Sequence, residues 1–374
     1  MQIILKIGIF IYNLIYCFHK LAPTRNRVAA ISRQSETLTP DMKLLTEEIR
    51  RQDPDIEVIT LNRMIPPDMK GRIRYIFYML GTEMHVIATS RVLILEGYCI
   101  GASVLHHKKS LKIIQMWHAL GALKKFGYLA VDTEEGHSSR LARTMHMHEN
   151  YDYVLCSSEF CRPIYAAAFG YPEDKVRVMP LPRTDLLKNE AFMAEQRRRI
   201  YDRYPELREK PSVLYAPTFR KGADISAALQ ELMDAFPYDK YNLIVHLHPI
   251  DRTKVESDRA FQCPEFTSLE LYSVSAAMIS DYSSAIFEAA QAWVPVYLYT
   301  YDLDEYLERR GFCIDFMKDI PLPKYRTAGE LLAALERGDS SPEEQAAFLE
   351  KYVKSVPDST GEIAAFVRSL VRNT

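Results

Sequence analysis

The chain has 374 residues, a length that predicts two domains of about 150–200 residues each. Hydrophobic residues make up 48% and charged residues 26% of the sequence, a balance that excludes a disordered or collagen-like chain. The formal net charge of −2 argues against a nucleic-acid partner, and the six scattered cysteines, with no Cys-x-x-Cys pair, predict neither a disulfide framework nor a structural zinc site.

An apolar segment opens the chain. Residues 3–18 contain few polar side chains, and five basic residues precede Glu36, the first acidic one. This run of about 16 residues is shorter than the roughly 20 that span a bilayer. We therefore predict that residues 1–24 form a helix lying on an anionic membrane surface. An amphipathic helix packed on its own domain is the alternative.

Predicted strands and helices then alternate in two successive series. Strand-like runs of the first series lie at 28–31, 56–61, 85–88, 92–95, 112–116 and 153–156. Those of the second lie at 213–215, 243–247, 277–279 and 296–298. Helical composition occurs between them, for example at 42–51, 225–236 and 285–292, and closes the chain at 341–370.

This alternation predicts an α/β protein in which two Rossmann-like domains with parallel sheets face each other across a cleft. The first domain is placed at 25–185 and the second at 211–374, joined by a charged, helix-forming linker at 186–210. Ligands of such sheets bind beyond the carboxyl ends of the strands, so the residues at those ends are candidates for the functional site.

One strand-like run ends at Asp281 and is followed by Ser283 and Ser284, just before a predicted helix. Free amides at a helix start, joined by two hydroxyls, suit a phosphate or diphosphate. Glu288 follows about one turn later, where a carboxylate can accept hydrogen bonds from ribose hydroxyls. Simple capping of the helix by the serines is the alternative.

His118 follows another predicted strand. Its ordinary pKa lies near neutrality, so it is a candidate general base. Lys124 and Lys125, a few residues further on, are candidates for binding a phosphate. A buried structural histidine and a solvated lysine pair are the alternatives. His146 and His148 are expected on the surface of a helix.

Two further strand ends carry polar groups. His246 and His248 share one face of their strand. No third ligand at suitable spacing completes a metal site, so we expect His248 to position a phosphate or a leaving group. Thr218 and Arg220 end another strand with a hydroxyl and a guanidinium whose planar fork suits phosphate. The absence of Gly-rich dinucleotide, Walker and Gly-x-Ser-x-Gly motifs disfavours NAD enzymes, P-loop NTPases and α/β-hydrolases.

Six segments in this order carry a resemblance to a known family. They are Trp117-His118 with Leu123-Lys-Lys-x-Gly127, Leu181-Pro-Arg-Thr-Asp-Leu186, Tyr215-Ala-Pro-Thr-x-Arg220, His248-Pro249, Ser280-Asp-Tyr-Ser-Ser284, and Tyr299–Tyr306 with Arg310–Asp315. Together they resemble the CDP-glycerol glycerophosphotransferases, over roughly residues 110–335.

The resemblance implies a GT-B fold, with an acceptor-side domain at 25–185, a nucleotide-donor domain at 211–374, and peripheral attachment to the cytoplasmic face of the cell membrane. It implies transfer of glycerol phosphate or a related polyol phosphate from CDP-glycerol or another CDP-polyol. The acceptor is a hydroxyl of a lipid-linked or polymeric molecule in teichoic-acid-like cell-surface polymer synthesis, and CMP is released. Neither a metal nor another cofactor is implied.

The resemblance also gives roles to the residues above. His118 is the base and His248 assists the departing CMP. Lys124 and Lys125 contact the acceptor or a phosphate. The donor contacts are Arg183, Thr218, Arg220, Asp281, Ser283, Ser284 and Glu288.

Two positions depart from the family pattern: Ala119 replaces a glycine, and His246 replaces an arginine or lysine. Two other interpretations stay open. One is a GT-B glycosyltransferase with a nucleotide-sugar donor, and the other is a non-catalytic nucleotide-binding protein of the same fold.

Overall fold

The computed structural model describes residues 2–134, 136–220, 222 and 224–373. The chain divides into two compact units. The first takes its described residues from 1–119, 126–183 and 356–374, and the second from 120–125 and 184–355. Each unit is built around its own parallel sheet, as the alternating pattern predicts.

The first unit contains a six-stranded sheet in the order β2-β1-β3-β4-β5-β6. Its strands are β1 (Arg27–Ser32), β2 (Glu57–Asn62), β3 (Val92–Leu95), β4 (Lys112–Gln115), β5 (Tyr153–Cys156) and β6 (Val176–Val178). Its first seven helices are α1 (Gln2–His19), α2 (Pro40–Gln52), α3 (Met69–Tyr78), α4 (Met84–Thr89), α5 (Ile100–Val104), α6 (Ser139–Thr144) and α7 (Arg162–Phe169). All residues of β1 and β3 are buried, as expected for a parallel sheet covered on both faces.

The second unit contains a six-stranded sheet in the order β12-β11-β10-β7-β8-β9. Its strands are β7 (Ser212–Tyr215), β8 (Asn242–Val245), β9 (Ala260–Phe261), β10 (Ser275–Ser280), β11 (Val296–Tyr299) and β12 (Lys324–Tyr325). Its helices are α8 (Arg183–Lys188, whose first residue belongs to the first unit), α9 (Glu190–Arg203), α10 (Ser226–Ala235), α11 (Ser268–Leu271), α12 (Ala285–Gln291), α13 (Leu303–Arg309), α14 (Phe316–Asp319), α15 (Ala328–Arg337) and α16 (Pro342–Tyr352).

The last helix, α17 (Ser359–Arg372), belongs to the first unit and packs on α2, where Arg372 pairs with Asp53 at 2.6 Å. The unit division therefore differs from the predicted domain of residues 211–374. Most of the predicted linker at 186–210 is instead the helix α9, which is part of the second unit. Arg197 Nε on this helix donates a hydrogen bond of 2.7 Å to the carbonyl of Ser273.

The predicted strand at 85–88 is wrong. These residues lie in α4, which continues from α3 through a π-helical turn at Met79–Glu83. Met84 and Ile87 are fully buried there. A short apolar run has the same composition in a buried helix as in a buried strand, so periodicity alone does not separate the two.

Helix α1 is, within the described part of the chain, the one helix long and apolar enough to cross a membrane by length and composition. Polar contacts hold one of its faces on the first unit. Asn13 Nδ2 donates to the carbonyl of Val104 at 2.8 Å, and its Oδ1 accepts from the backbone N–H of His106 at 2.8 Å. Tyr16 is buried, whereas eight large apolar side chains between Ile3 and Leu21 are exposed.

Candidate active site

His118 lies beyond the carboxyl end of β4, directly after Trp117. Trp117 adopts a left-handed backbone with φ of 64°, which is unfavourable for a bulky side chain. Its ring is held by Phe126 at a centroid distance of 5.5 Å and by Phe169 at 5.4 Å. Packing therefore stabilises an unusual backbone next to the candidate base, a combination that is concentrated at functional sites.

The protonation of His118 is defined by its backbone partner. Nδ1 lies 2.7 Å from the carbonyl oxygen of Glu96, and because a carbonyl only accepts, Nδ1 carries the proton. In the neutral ring Nε2 is therefore the acceptor. Burial lowers the pKa of His118, and the charge of Arg183 lowers it further, against opposing effects of the Glu96 hydrogen bond and Asp41. The imidazole is thus kept neutral, the state that a general base requires.

Arg183 and Asp41 brace the His118 segment. The backbone N–H of Arg183 donates to Asp41 Oδ1 at 2.8 Å, and Nε donates to Oδ2 at 2.7 Å. Nη2 of Arg183 also donates to the carbonyl oxygen of His118 at 3.4 Å. Asp41 is fully buried near the start of α2, which Thr39 caps. The structure therefore places Arg183 beside the candidate base, in a different unit from the other predicted donor contacts.

In the second unit, the ends of β7 and β10 meet because these two parallel strands are neighbours. Asp281 accepts a hydrogen bond from the backbone N–H of Thr218 at 2.9 Å and another from that of Tyr282 at 2.6 Å. Lys124 Nζ donates to the hydroxyl of Thr218 at 3.2 Å. The structure thus brings Lys124, predicted to contact the acceptor or a phosphate, together with Thr218 and Asp281, predicted to contact the donor.

Arg220 is buried between two carboxylates. Nη2 lies 2.8 Å from Asp281 Oδ2, Nε donates to Asp302 Oδ2 at 2.5 Å, and Nη1 donates to the carbonyl of Thr218 at 2.8 Å. The planar fork of Arg220 therefore contacts protein groups, which fix the loop after β7. Direct contact between Arg220 and a phosphate stays a prediction.

Ser283 and Ser284 precede α12 and are half-buried. The hydroxyl of Ser283 accepts a hydrogen bond from the N–H of Ala285 at 3.3 Å, so local capping is present. Ser284 stands at the capping position but its side chain makes no capping bond. Glu288 is buried in the first turn of α12. Binding of a phosphate and a ribose by these three residues stays a prediction.

The segment 120–125 leaves the first unit and packs in the second. The N–H of Lys125 donates to the carbonyl of Gly311 at 3.3 Å, and the N–H of Cys313 donates to that of Leu123 at 2.8 Å. Gly121 has φ of +64°, and a Cβ there would lie 2.5 Å from the ring of Phe287. Both predicted lysines therefore belong to the second unit, whereas His118 belongs to the first.

His248 follows β8 and is exposed. The backbone N–H of Ile250 donates to its Nδ1 at 3.3 Å, so in the neutral ring Nε2 carries the proton. Burial and then the charge of Lys124 lower the pKa of His248. The pKa of His246 is lowered in the same way by burial and by His248. A neutral His248 is therefore a hydrogen-bond donor at Nε2.

His148 lies outside the helix and surface position predicted for it. It is buried, has a left-handed φ of 62°, and packs against Phe169 at a centroid distance of 4.9 Å. Burial lowers its pKa to about 4. Sequence reasoning also missed Asp41 and Asp302, which organise Arg183 and Arg220. Asp302 could have been found from the sequence, because it lies in Tyr299–Tyr306, one of the segments that carry the family resemblance.

Among the residues that the structure describes, no three His, Cys, Asp or Glu side chains are grouped as metal ligands. A cavity of about 760 Å³ in the second unit adjoins Phe219, Arg220 and Ile250. Its volume is in the range of small-molecule and cofactor sites.

The fold is that of a known class. A solved structure of the wall teichoic acid polymerase TagF matches with a TM-score of 0.74 at 19% identity, covering 100% of this chain and 97% of that chain. Together with the two parallel sheets, this match confirms the predicted GT-B-like fold class.

The profile of the family described as CDP-Glycerol:Poly(glycerophosphate) glycerophosphotransferase matches residues 14–359, so the chain belongs to this family. It is 31% identical over 358 residues to the teichoic acid ribitol-phosphate primase of Bacillus spizizenii, covering 92% of both chains. It is 28% identical to the teichoic acid poly(ribitol-phosphate) polymerase of the same organism, of which it covers 55%. The predicted family and phosphotransferase class are thereby confirmed.

Proposed function

We propose that this enzyme transfers glycerol phosphate or ribitol phosphate from the CDP-polyol to a hydroxyl of a lipid-linked or polymeric teichoic acid acceptor. The family supports a CDP-polyol donor, and one TagF structure is described with CDPG soaked into the crystal. The relatives include a glycerol-phosphate primase as well as ribitol-phosphate enzymes, so both polyols are candidates. The match to nearly the whole ribitol-phosphate primase favours ribitol and the addition of a first unit.

In the proposed reaction, the acceptor oxygen attacks the phosphorus that carries the polyol while its proton passes to His118 Nε2. The bond from that phosphorus to the bridging oxygen breaks, and CMP leaves with the electron pair. His248 Nε2–H donates a hydrogen bond to a phosphate oxygen of the departing CMP. Lys124, with Ser283 and Ser284, provides further stabilisation of the negative charge. No metal is expected to take part.

One observation carries this proposal: the neutral imidazole of His118 has its proton held on Nδ1 by Glu96, at the edge where α/β sheets bind ligands. A second supports the donor side, since Lys124, Thr218 and Asp281 form a connected set in the second unit. The nearby cavity of about 760 Å³ has room for the donor's nucleoside.

We also propose attachment to the cytoplasmic face of the cell membrane through two elements of the first unit. The exposed apolar side chains of α1 are one. The other is α3 with the residues before it, which expose Met64, Ile65, Met69, Ile73, Ile76 and Phe77. Lys70, Arg72 and Arg74 are exposed on the same helix, as expected of a segment that contacts anionic lipid.

The test is incubation of the full chain with CDP-glycerol, CDP-ribitol or a UDP-sugar, each with a lipid-linked teichoic acid primer, followed by measurement of released nucleotide. We expect CMP from one CDP-polyol, and loss of that release in His118→Ala with donor binding retained. Release only from the UDP-sugar would support the glycosyltransferase. Equal CMP release by wild type and His118→Ala would overturn the assignment of the base.

A further inference from the structure

A cavity of about 540 Å³ lies in the first unit along one side of α1. Helix α1 lines it with Lys6, Ile9, Phe10 and Asn13. These four are spaced at i, i+3, i+4 and i+7, so they share one helix face. The other walls come from residues 103–106, at and after the end of α5, and from the end of α6 and the turn after it. None of the residues assigned to the transfer reaction lines this cavity.

Positive charge predominates in the lining. Lys6 and Arg143 are exposed, and His106 and His146 add imidazoles. The acidic residue of the lining is Glu149, whose carboxylate lies 2.9 Å from Nδ1 of His146. A phosphate in the cavity would therefore meet an ammonium and a guanidinium, the groups that bind phosphate most strongly in proteins.

The floor of the cavity is fixed by two asparagine side chains. Asn13 bonds the carbonyl of Val104 and the N–H of His106, each at 2.8 Å. Asn150 Nδ2 donates to the carbonyls of Ser103 at 2.9 Å and Leu105 at 3.2 Å. These two side-chain amides bond the backbone groups of residues 103–106. The floor of the cavity is therefore formed before any ligand binds, which lowers the entropic cost of binding.

Apolar surface adjoins this charged cavity. Phe10 lines the cavity and is nevertheless 70% exposed, and Ile7, Ile11 and Leu14 are exposed on neighbouring positions of α1. A free phosphate would leave this surface in water. A phosphate that carries acyl chains would cover it, and burial of their methylene groups against apolar surface is favourable in the same way as in membrane binding.

We propose that this cavity binds the headgroup of an anionic glycerophospholipid. Lys6 and Arg143 contact the phosphate, and the acyl chains lie along the exposed face of α1 at Phe10. The inference rests on the membrane contact proposed above and adds to it a specific lipid site, separate from the donor and from the candidate base.

The experiment titrates the full chain with dihexanoyl phosphatidylglycerol below its micelle-forming concentration. We expect one saturable site, weakened about tenfold or more in Lys6→Gln/Arg143→Gln, because each cation near an anionic lipid contributes a factor of this order. The matched control is Lys43→Gln/Lys109→Gln, which removes two exposed charges of the same unit outside the cavity and should bind like wild type.

Three results would overturn the site: no saturable binding, equal weakening by the control pair, or inorganic phosphate binding as tightly as the lipid. Tighter binding of geranyl diphosphate than of phosphatidylglycerol would assign the cavity to a prenyl-linked acceptor instead. Saturable phosphatidylglycerol binding by a chain that fails to sediment with vesicles would support this site while refuting the membrane contact.

Discussion

Nδ1 of His118 donates to the carbonyl oxygen of Glu96 at 2.7 Å, which leaves Nε2 of the neutral ring as a proton acceptor. His248 has the reverse arrangement, since its Nδ1 accepts from the N–H of Ile250 at 3.3 Å and its proton is on Nε2. The backbone contacts of these two histidines therefore favour opposite tautomers of the neutral ring. Nε2 is an acceptor in His118 and a hydrogen-bond donor in His248.

The first prediction follows from the acceptor state of His118. His118→Asn should lower CMP release by about 10²–10⁴-fold, the usual contribution of a general base. Donor affinity should change little, because the predicted donor contacts other than Arg183 lie in the second unit. Equilibrium binding of the CDP-polyol and single-turnover CMP release measure the two quantities separately. A parallel loss of binding and turnover would contradict the role of base.

The second prediction concerns pH. Burial lowers the pKa of His118 below its ordinary value of 6.5. A base acts in its neutral form, so activity should fall as the pH drops through this lowered pKa, and the acid limb of kcat/KM should lie below pH 6.5. A profile of CMP release against pH checks this. An acid limb that lies above that pH and disappears in His118→Asn would show that the imidazole is not held neutral.

The third prediction compares the contributions to stability of two aspartates that lie close together in the sequence. Asp302 accepts from Arg220 Nε at 2.5 Å in a buried pair, whereas Asp304 pairs with Arg326 at the surface. Asp302→Ala should lower the free energy of unfolding by about 3 kcal/mol, because it leaves a buried guanidinium with one of its two carboxylates. Asp304→Ala should leave it nearly unchanged. Urea unfolding measures both, and equal effects would show that the buried pair has no special role.

Residues at strand ends could be predicted from the sequence because the pattern that marks them is local. An apolar run followed by a polar residue places His118, Thr218, His248 and Asp281 at the edges of the two sheets, and the structure has all four there. Their chemical states could not be predicted. The tautomer of His118, for example, depends on the carbonyl of Glu96, which belongs to the chain after β3.

Contacts between residues that are far apart in the sequence could not be predicted for a related reason. Asp41 and Arg183 are 142 residues apart, and neither has a local feature that identifies the other. The segment at Lys124 pairs with the chain at Phe312 in a bridge that no periodicity anticipates. Lys124 and Lys125, predicted to contact the acceptor or a phosphate, follow His118 closely in sequence, whereas the chain enters the second unit at residue 120.

The fourth prediction concerns Gly121, in the segment 120–125 that packs in the second unit. Gly121→Ala combines a left-handed backbone with a Cβ 2.5 Å from the ring of Phe287, so we expect a loss of about 3 kcal/mol of stability from strain and overpacking together. Gly338→Ala has a similar φ of +70° with nothing within 4 Å, and should lose about 1 kcal/mol from the backbone alone. Thermal unfolding gives the difference. Equal losses would mean that Phe287 moves aside at no cost.

The last prediction concerns the exposed face of α1. Ile7, Leu14 and Phe18 are more than half exposed, so their replacement by aspartate removes little packing. Deletion of residues 1–21 is a poorer test, because it leaves the carbonyl of Val104 and the N–H of His106 without the side chain of Asn13. The triple variant Ile7→Asp/Leu14→Asp/Phe18→Asp should therefore keep its stability and CDP-polyol affinity while it no longer sediments with anionic vesicles.

The matched control for this variant is Leu307→Asp/Met317→Asp, which places charges on exposed apolar positions of the second unit. The control should sediment like wild type if the contact is specific to α1. Three carboxylates placed in a lipid interface lose the apolar contact and are repelled by anionic headgroups, so even partial insertion of α1 should be lost. Sedimentation of the triple variant at the wild-type level would exclude α1 as the contact and leave the exposed side chains of α3 as the candidate.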